Sequence, residues 1–328
     1  MNTIQLKLVL LVLLNFYLTG IMAQYETQEA NNTASVAQSK TRLQNMKKAK
    51  KLQKLNSFLY KIEKPFKNHK KHKEVFIETE YGTVRTLWYG FDNPEIVPVL
   101  FDLHGGGFIL GQADMDEAMN LVFQKQTGCK VISIDYAKAP DHPYPVAVNQ
   151  IYAVVKHVYE NADKYSIDIS RMAIGGHSAG ANLSTVTCLK AKQEGKFQFV
   201  CQLLDYPPLD IATNPYDKLQ PKGCIPPKMA IMFNDGYVDS TQAKDIFVSP
   251  VFATIDELTG LPPAIFILPG HDSLHDEGIK YSNMLKDAGV EMERYEYPDS
   301  KHGFTYYKSD NSTDAIGKMA NFLNKYLK

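Results

Sequence analysis

The chain has few of the features that would bind a metal, a nucleotide or a nucleic acid. It contains four cysteines and nine histidines in 328 residues, and no Cys/His spacing typical of a zinc site. Its glycine-rich run is not followed by either common phosphate-loop motif, which disfavours a nucleotide site. The 36 basic and 36 acidic residues cancel, and no nucleic-acid module is recognisable. We therefore expect no metal, no cofactor and no nucleic-acid partner.

Long apolar runs are also scarce. The apolar stretch at residues 8–18 is too short to span a bilayer comfortably, and a possible cleavage point follows Ala23. We therefore predict that residues 1–23 are a cleaved export signal or, as the alternative, an uncleaved membrane anchor. In either case, we expect the protein to be exported or membrane-anchored. The polar residues 24–39 predict a tether.

The four cysteines allow three disulfide pairings, which export would permit. Three of them occur in apolar strand or helix contexts, so we expect buried thiols. The four are Cys129, Cys188, Cys201 and Cys224.

Positive charge is concentrated near the amino terminus. Residues 40–73 contain thirteen lysines or arginines against Glu63 alone, a net charge of +12. This excess is consistent with weak contact with an anionic surface, but a solvated helix face followed by a polar linker is the favoured explanation. Apolar residues recur here at helical spacing and end before Pro65, which predicts a basic amphipathic helix: Leu43, Met46, Leu52, Leu55, Leu59 and Ile62.

From residue 74 onward, apolar strand-like runs alternate with helical patterns. This alternation predicts an α/β catalytic domain over residues 74–328, with a mostly parallel eight-stranded sheet covered by helices on both faces. Residues 207–262 do not show this alternation of strands and helices, and they are rich in proline and aromatic residues. We interpret them as an insertion that forms a cap over the pocket.

A serine lies in a predicted strand-to-helix turn. Residues 171–176 form an apolar run typical of a buried strand, residues 179–190 predict a helix, and Ser178 falls between them. Gly176 and Gly180 permit a tight turn that exposes the hydroxyl. The backbone amide of Ala179, at the start of the helix, would then point at an oxyanion.

A second loop follows another strand-like run, residues 97–103. It reads His104-Gly-Gly-Gly107, and its glycines let the backbone approach a substrate closely. The amides of Gly105 and Gly106 are therefore candidate oxyanion donors.

A serine nucleophile also needs a base and an acid to orient that base. Asp272 and His302 each follow a late strand-like run, in the acid-then-base order expected after the serine. Asp276 is the weaker candidate acid because it falls within the next predicted helix. Together, Ser178, Asp272 and His302 favour cleavage of acyl esters.

These motifs resemble the hormone-sensitive-lipase-like group of α/β-hydrolases, which includes carboxylesterases and arylacetamide deacetylase relatives. The resemblance covers about residue 74 to the end, and it rests on HGGGF at 104–108, DY at 135–136 with APDHPYP at 139–145, GHSAG at 176–180, DSLHDE at 272–277 and HGF at 302–304. It implies the α/β-hydrolase fold and a Ser178–Asp272–His302 triad, with Gly105, Gly106 and Ala179 as the oxyanion hole. It further implies that His104 holds the glycine loop in shape and that the amino-terminal helix joins the cap.

Two departures from the group's pattern leave alternatives open. His177 stands where many members have an acidic residue, and Ala137-Lys138 stands where an arginine is frequent. Kynurenine-formamidase-like enzymes share the GHSAG pattern, so an arylformamidase or amide deacetylase is the first alternative. A non-catalytic binder similar to the gibberellin receptors is the second, although His302 argues against it. We expect a small-molecule ester substrate with a short to medium acyl chain.

Overall fold

The computed structural model describes residues 39–62 and 71–328. The predicted export signal or anchor and most of the tether lie outside these residues. Among the described residues, no helix has both the length and the apolar composition that crossing a membrane requires. Lys48 is the first residue of the larger compact unit of the chain, and the following description concerns the described residues of this unit.

The unit is built on an eight-stranded sheet, as the sequence predicts. The strand order is β1-β2-β4-β3-β5-β6-β7-β8, with antiparallel pairing of β1 with β2 and β2 with β4 and parallel pairing elsewhere. The strands are β1 (Lys73–Thr79), β2 (Gly82–Tyr89), β3 (Val97–Leu103), β4 (Lys130–Asp135), β5 (Ile167–His177), β6 (Cys201–Asp205), β7 (Ala264–His271) and β8 (Met292–Lys301).

Helices connect the strands and cover the sheet. They are α1 (residues 39–62, of which 48–62 belong to this unit), α2 (Glu117–Thr127), α3 (Val146–Glu160), α4 (Ala162–Tyr165), α5 (Ala179–Glu194), α6 (Pro227–Tyr237), α7 (Ile255–Leu258), α8 (His275–Asp287) and α9 (Asp310–Leu327). Short 3-10 helices occur at Ala113–Asp116, Pro215–Asp217, Ser240–Gln242, Pro250–Phe252 and Phe304–Tyr306.

The sheet separates two apolar cores because successive side chains of a strand point to opposite faces. In β7, Phe266 and Leu268 join the core under α3, α5 and α8, whereas Ile265 and Ile267 join the core under α2 and α9. Both faces are therefore covered, which explains why the inner strands β3, β4, β6 and β7 are almost continuously buried.

The parallel register brings the carboxyl ends of the strands to one edge of the sheet. Leu103 at the end of β3 pairs with Gly176 in β5, and His177 pairs with Asp205 at the end of β6. The loops that follow β3, β5, β6, β7 and β8 consequently lie along the same edge, where open α/β sheets bind their ligands.

Helix α1 does not pack as its sequence pattern predicts. The periodic residues Leu55, Leu59 and Ile62 are about half exposed, at 53%, 47% and 50%. The face that packs instead carries Gln53, whose amide donates to the carbonyl oxygens of Ile109 and Ala139 at 3.1 and 2.9 Å. The apolar face formed by Leu55, Leu59 and Ile62 is therefore not the face through which residues 48–62 pack.

The cysteines are all free, and Cys129, Cys188 and Cys201 are buried as expected, whereas Cys224 is half-buried. Burial raises the pKa of the Cys129 thiol to about 11, so it is uncharged at neutral pH.

The segment between β6 and β7 contains helices but no strand among its residues 206–263. It is held to the domain by Asn182 of α5, whose side-chain amide donates to the carbonyl oxygens of Pro208 and Val248 at 2.7 and 2.9 Å. Asn182, Pro208 and Val248 are all buried. One side chain therefore ties two distant points of this segment, near its start and toward its end, to the same helix.

Replacing Asn182 with alanine leaves two buried carbonyl groups without a donor. We expect Asn182→Ala to lower the free energy of unfolding by about 2–4 kcal/mol, measured by urea denaturation. Asn149→Ala is the matched control, because Asn149 is also the fourth residue of its helix and the helix-propensity gain is the same. Equal stability of the two variants would contradict the role assigned to Asn182.

Candidate active site

The backbone at Ser178 is strained. It connects β5 directly to α5 with φ +51° and ψ −119°, a conformation that residues with a side chain rarely adopt. Gly176 and Gly180 pack so tightly against β3 that a Cβ atom at either would lie 2.4 or 1.9 Å from the carbonyl oxygen of Leu103. Only glycine fits at both positions, and the Ser178 amide then donates to the carbonyl oxygen of Asp205 at 2.8 Å.

Three of the predicted site residues form a continuous hydrogen-bonded chain. Nε2 of His302 lies 2.9 Å from Oγ of Ser178, and Nδ1 of His302 lies 2.7 Å from Oδ2 of Asp272. Asp272 is 1% exposed, and its Oδ1 accepts a hydrogen bond from the amide of Leu274 at 3.1 Å. The backbone amide of Leu274 therefore fixes the carboxylate of Asp272, which in turn orients the imidazole of His302.

Asp276, the weaker candidate acid, lies outside this chain. It is in the first turn of α8 with its side chain 68% exposed, and its contact is with His275. The hydrogen-bonded chain therefore includes Asp272 and excludes Asp276.

The electrostatics of His302 reflect two opposing effects. Burial alone would lower the pKa of the imidazole, but the charge of Asp272 and its hydrogen bond outweigh burial and raise the pKa above the ordinary value. The imidazole is therefore a stronger base than a free histidine.

The glycine loop lies against Ser178. A Cβ atom at Gly105 would be 3.5 Å from Cβ of Ser178, and Gly106 and Gly107 have φ angles of +125° and +60° that favour glycine. Within the described part of the chain, the amides of Gly105 and Gly106 donate to no protein acceptor. They are thus free to donate to a ligand beside Ser178.

His104 holds this loop, as the resemblance implies. Its Nδ1 donates to the carbonyl oxygen of Gly105 at 2.7 Å, and its ring stacks on Tyr136 with centroids 4.3 Å apart. The hydroxyl of Tyr136 donates in turn to the carbonyl oxygen of His104 at 2.8 Å.

A buried cluster of charges lies beneath the turn, and the sequence did not indicate it. His177 is fully buried, and its Nδ1 donates to Oδ2 of Asp205 at 2.7 Å. Burial alone would lower the pKa of His177, but the charge of Asp116, the hydrogen bond to Asp205 and the charge of Asp102 raise it to about 9. Burial and the charge of Asp102 raise the pKa of Asp116 to about 8. The pKa values of both groups therefore lie above their ordinary range.

The cluster is also the place where described side chains could share a metal ion. Donor atoms of Asp102, Asp116 and His177 lie within 4.8 Å of one another. None of the three lines the cavity beside Ser178, so an ion there would not touch a ligand bound in that cavity.

A mostly apolar cavity of about 290 Å³ opens beside Ser178 and His302. Its walls come from the glycine loop, from the β6–β7 segment and from the loops after β7 and β8: Gly105, Gly106, Gly107, Phe108, Met115, Tyr206, Pro208, Ile211, Pro215, Lys218, Ile225, Met229, Ala230, Phe233, Asn234, Ser273, Leu274, Gly303 and Tyr306. Phe233 of α6 touches the glycine loop so closely that a Cβ atom at Gly107 would lie 2.5 Å from its ring.

The cationic side chain in the cavity wall is neutralised. Nζ of Lys218 lies 2.5 Å from Oε2 of Glu277, and it also donates to the carbonyl oxygen of Asp210 at 2.6 Å. The other oxygen of Glu277 accepts from the amide of Leu209 at 2.7 Å. The pair therefore fixes the start of the β6–β7 segment, and the cavity remains suited to an uncharged ligand.

Comparison with known proteins places this geometry in a family. The model of the α/β hydrolase fold family matches residues 100–306. The carboxylesterase NlhH of Mycobacterium tuberculosis is 32% identical over 232 residues, which is 68% of this chain and 71% of that protein.

Solved structures of esterases are similar throughout the domain. A thermostable esterase from Pseudomonas putida has a TM-score of 0.74 and 28% identity, covering 79% of this chain and 83% of that one. An esterase from Pyrobaculum calidifontis has a TM-score of 0.76 and 28% identity, covering 84% of this chain and 92% of that one. With this sheet order, this strand-to-helix turn and these relatives, the chain belongs to the α/β-hydrolase fold family, in its hormone-sensitive-lipase-like esterase group.

Proposed function

We propose that this protein is a serine carboxylesterase that cleaves small-molecule carboxylic esters through an acyl-enzyme. The observation that carries the proposal is the chain of hydrogen bonds from Ser178 through His302 to Asp272, at the wall of an apolar cavity. The carboxylesterase relatives support the same reaction class.

In the first half of the reaction, Oγ of Ser178 attacks the ester carbonyl carbon while Nε2 of His302 accepts the hydroxyl proton. The carbonyl oxygen becomes an oxyanion and accepts hydrogen bonds from the amides of Gly105, Gly106 and Ala179. The amide of Ala179 is the first of α5, so the helix amino terminus adds its partial positive charge. Each such donor typically lowers the barrier by about 3 kcal/mol.

When the tetrahedral intermediate collapses, the carbon–oxygen bond to the alcohol breaks and His302 gives its proton to the departing alkoxide. Water then enters, loses a proton to His302 and attacks the acyl carbon. The bond between the acyl carbon and Oγ of Ser178 then breaks, His302 returns its proton to Oγ, and the carboxylic acid departs. Asp272 stays ionised throughout and stabilises the imidazolium.

The alternatives left by the sequence gain no support. The relatives reported above are esterases, and His302 lies within hydrogen-bonding distance of Ser178, unlike in a receptor that has lost its base. Three statements stay predictions from the sequence. They are the export or anchoring by residues 1–23, the cap boundaries at 207–262, and the contact of residues 40–73 with an anionic surface.

Removing the nucleophile or the base should abolish turnover. We expect Ser178→Ala and His302→Ala each to lower kcat/KM for p-nitrophenyl butyrate by at least about a thousandfold, with little change in thermal stability. Ser240→Ala and His142→Ala, at exposed positions, are the matched controls and should retain full activity. More than a tenth of the activity in either of the first two variants would refute the assigned roles.

The pH profile tests the pair of His302 and Asp272. Ester cleavage needs neutral His302, so kcat/KM should fall toward acid pH with a midpoint above the ordinary histidine pKa of 6.5. Asp272→Asn removes the charge that raises this pKa, so the midpoint should move to lower pH and kcat should fall by about 10⁴-fold. An unchanged midpoint in Asp272→Asn would show that another group sets it.

The cavity predicts a preference for short acyl chains. We expect kcat/KM for p-nitrophenyl esters to be highest between acetate and hexanoate and to fall at least about tenfold by dodecanoate, because each added methylene needs room in an apolar cavity of about 290 Å³. Phe233→Ala should raise activity on octanoate relative to butyrate. A wild-type profile that keeps rising to dodecanoate would contradict this interpretation of the cavity.

A further inference from the structure

Helix α1 turns large apolar side chains toward solvent. Leu55, Phe58, Leu59 and Ile62 are 53%, 59%, 47% and 50% exposed. Their spacing of three, four and seven residues puts them on one face of the helix, here called the docking strip. Four neighbouring large apolar side chains that remain half exposed mark an interaction surface rather than scattered surface residues.

The orientation of the strip is set by the opposite face of the helix. The hydroxyl of Tyr60 donates to Oδ2 of Asp114 at 2.8 Å, and Gln53 donates to the carbonyl oxygens of Ile109 and Ala139. Ala49 is fully buried beneath the same face. These contacts prevent the helix from rolling to bury the strip, so the strip is available to a partner.

The charge around the strip is of one sign. Residues 48–62 contain five lysines and no acidic residue: Lys48, Lys50, Lys51, Lys54 and Lys61. Lys50 pairs with Asp141 at 2.5 Å, whereas Lys51, Lys54 and Lys61 are exposed beside the strip. By helical geometry, Lys51 lies within the apolar arc, and Lys54 and Lys61 border it on the side of Phe58.

An apolar face bordered by lysines is the pattern of a helix that lies in the interface of a membrane. The apolar side chains enter the acyl boundary, and lysine stems extend their ammonium groups to anionic head groups. We propose that the docking strip of α1 binds this protein to the surface of an anionic lipid bilayer. The proposal concerns a surface apart from the cavity, and it holds whether or not the esterase mechanism is correct.

The helix that carries the strip also adjoins the cavity wall. A Cβ atom at Gly236 of α6 would lie 3.7 Å from Cβ of Ala49, and α6 contributes Met229, Ala230 and Phe233 to the cavity. A bilayer that holds α1 would therefore lie near the element that borders the ester site.

The test places a fluorescent reporter in the strip of the full-length protein. Trp88 is the single native tryptophan and is 4% exposed, so it contributes a constant background. Phe58→Trp adds an indole at the strip, and Ile169→Trp adds one at a site 42% exposed in the amino-terminal half of β5, away from the edge of the sheet that carries Ser178. Both variants are mixed with vesicles of phosphatidylcholine and phosphatidylglycerol, with and without brominated phospholipid.

We expect the indole of Phe58→Trp to shift to shorter wavelength and to be quenched by brominated lipid in anionic vesicles, but not in pure phosphatidylcholine. The indole of Ile169→Trp should stay unchanged. Adding Lys51→Gln, Lys54→Gln and Lys61→Gln to the reporter should weaken the anionic-vesicle response about a hundredfold, because each lysine near an anionic surface contributes about 1 kcal/mol. Turnover of a soluble ester should be equal in all variants, which verifies their folding.

The residues before α1 are the same in every variant, so any binding of vesicles by those residues is also the same. A difference in quenching between the variants therefore reports contact of the docking strip with lipid. An unquenched indole in Phe58→Trp, or equal quenching in Phe58→Trp and Ile169→Trp, would overturn the proposal. A response to pure phosphatidylcholine that the three lysine substitutions leave unchanged would overturn the electrostatic part. A response to a soluble acidic polypeptide but not to vesicles would assign the strip to a protein partner instead.

Discussion

The close approach of the strand-to-helix turn to β3 is the constraint on which the rest of the site depends. Gly176 and Gly180 leave no room for a side chain beside the carbonyl oxygen of Leu103, and Ser178 between them adopts a strained backbone conformation with φ +51°. The same contact sets Ser178 directly beside Gly105, because His104-Gly105 continues the chain from Leu103. One steric requirement therefore places the hydroxyl, the first amide of α5 and the amides of the glycine loop around a single point.

The buried charges beneath this turn connect it to the loop that carries the base. Asp205 accepts hydrogen bonds from His177, which precedes Ser178, and from the hydroxyl of Thr305 at 2.7 Å. Asp116 accepts from the hydroxyl of Tyr306 at 2.7 Å. Thr305 and Tyr306 follow His302 by three and four residues, so Asp205 joins the nucleophile turn to the base loop and Asp116 binds the base loop as well. Because unpaired buried charges are costly, these partners favour one arrangement of the two loops.

The loops of the site were predictable because their signals are local. A serine between a strand and a helix, three glycines after a strand, and an acid and a histidine after later strands each act within a few residues, and a parallel sheet necessarily brings strand ends to one edge. The strands also agree closely with the predicted runs, since the continuous burial of β3 and β7 is written in runs of adjacent apolar residues. Helix α6 was not predicted, because its prolines and aromatic residues conceal the helical pattern. Tertiary packing stabilises this helix, since it lies against α1 and forms part of the cavity wall. The cluster of Asp102, Asp116, His177 and Asp205 was missed as well, because its members come from four separate places in the chain.

For this protein, the sequence by itself determined the fold class, the order of the elements and the positions of Ser178, Asp272 and His302 after strands of one sheet, because strand periodicity, glycine and proline act on the nearest neighbours. Only the tertiary structure decided which face of α1 packs, which carboxylates surround His177, and how much room the cavity offers. These properties depend on surfaces contributed by distant segments, such as the carbonyl groups of Ile109 and Ala139 that receive Gln53 in place of an apolar stripe. A helix pattern shows which residues share a face, but the partner surface decides which face is buried.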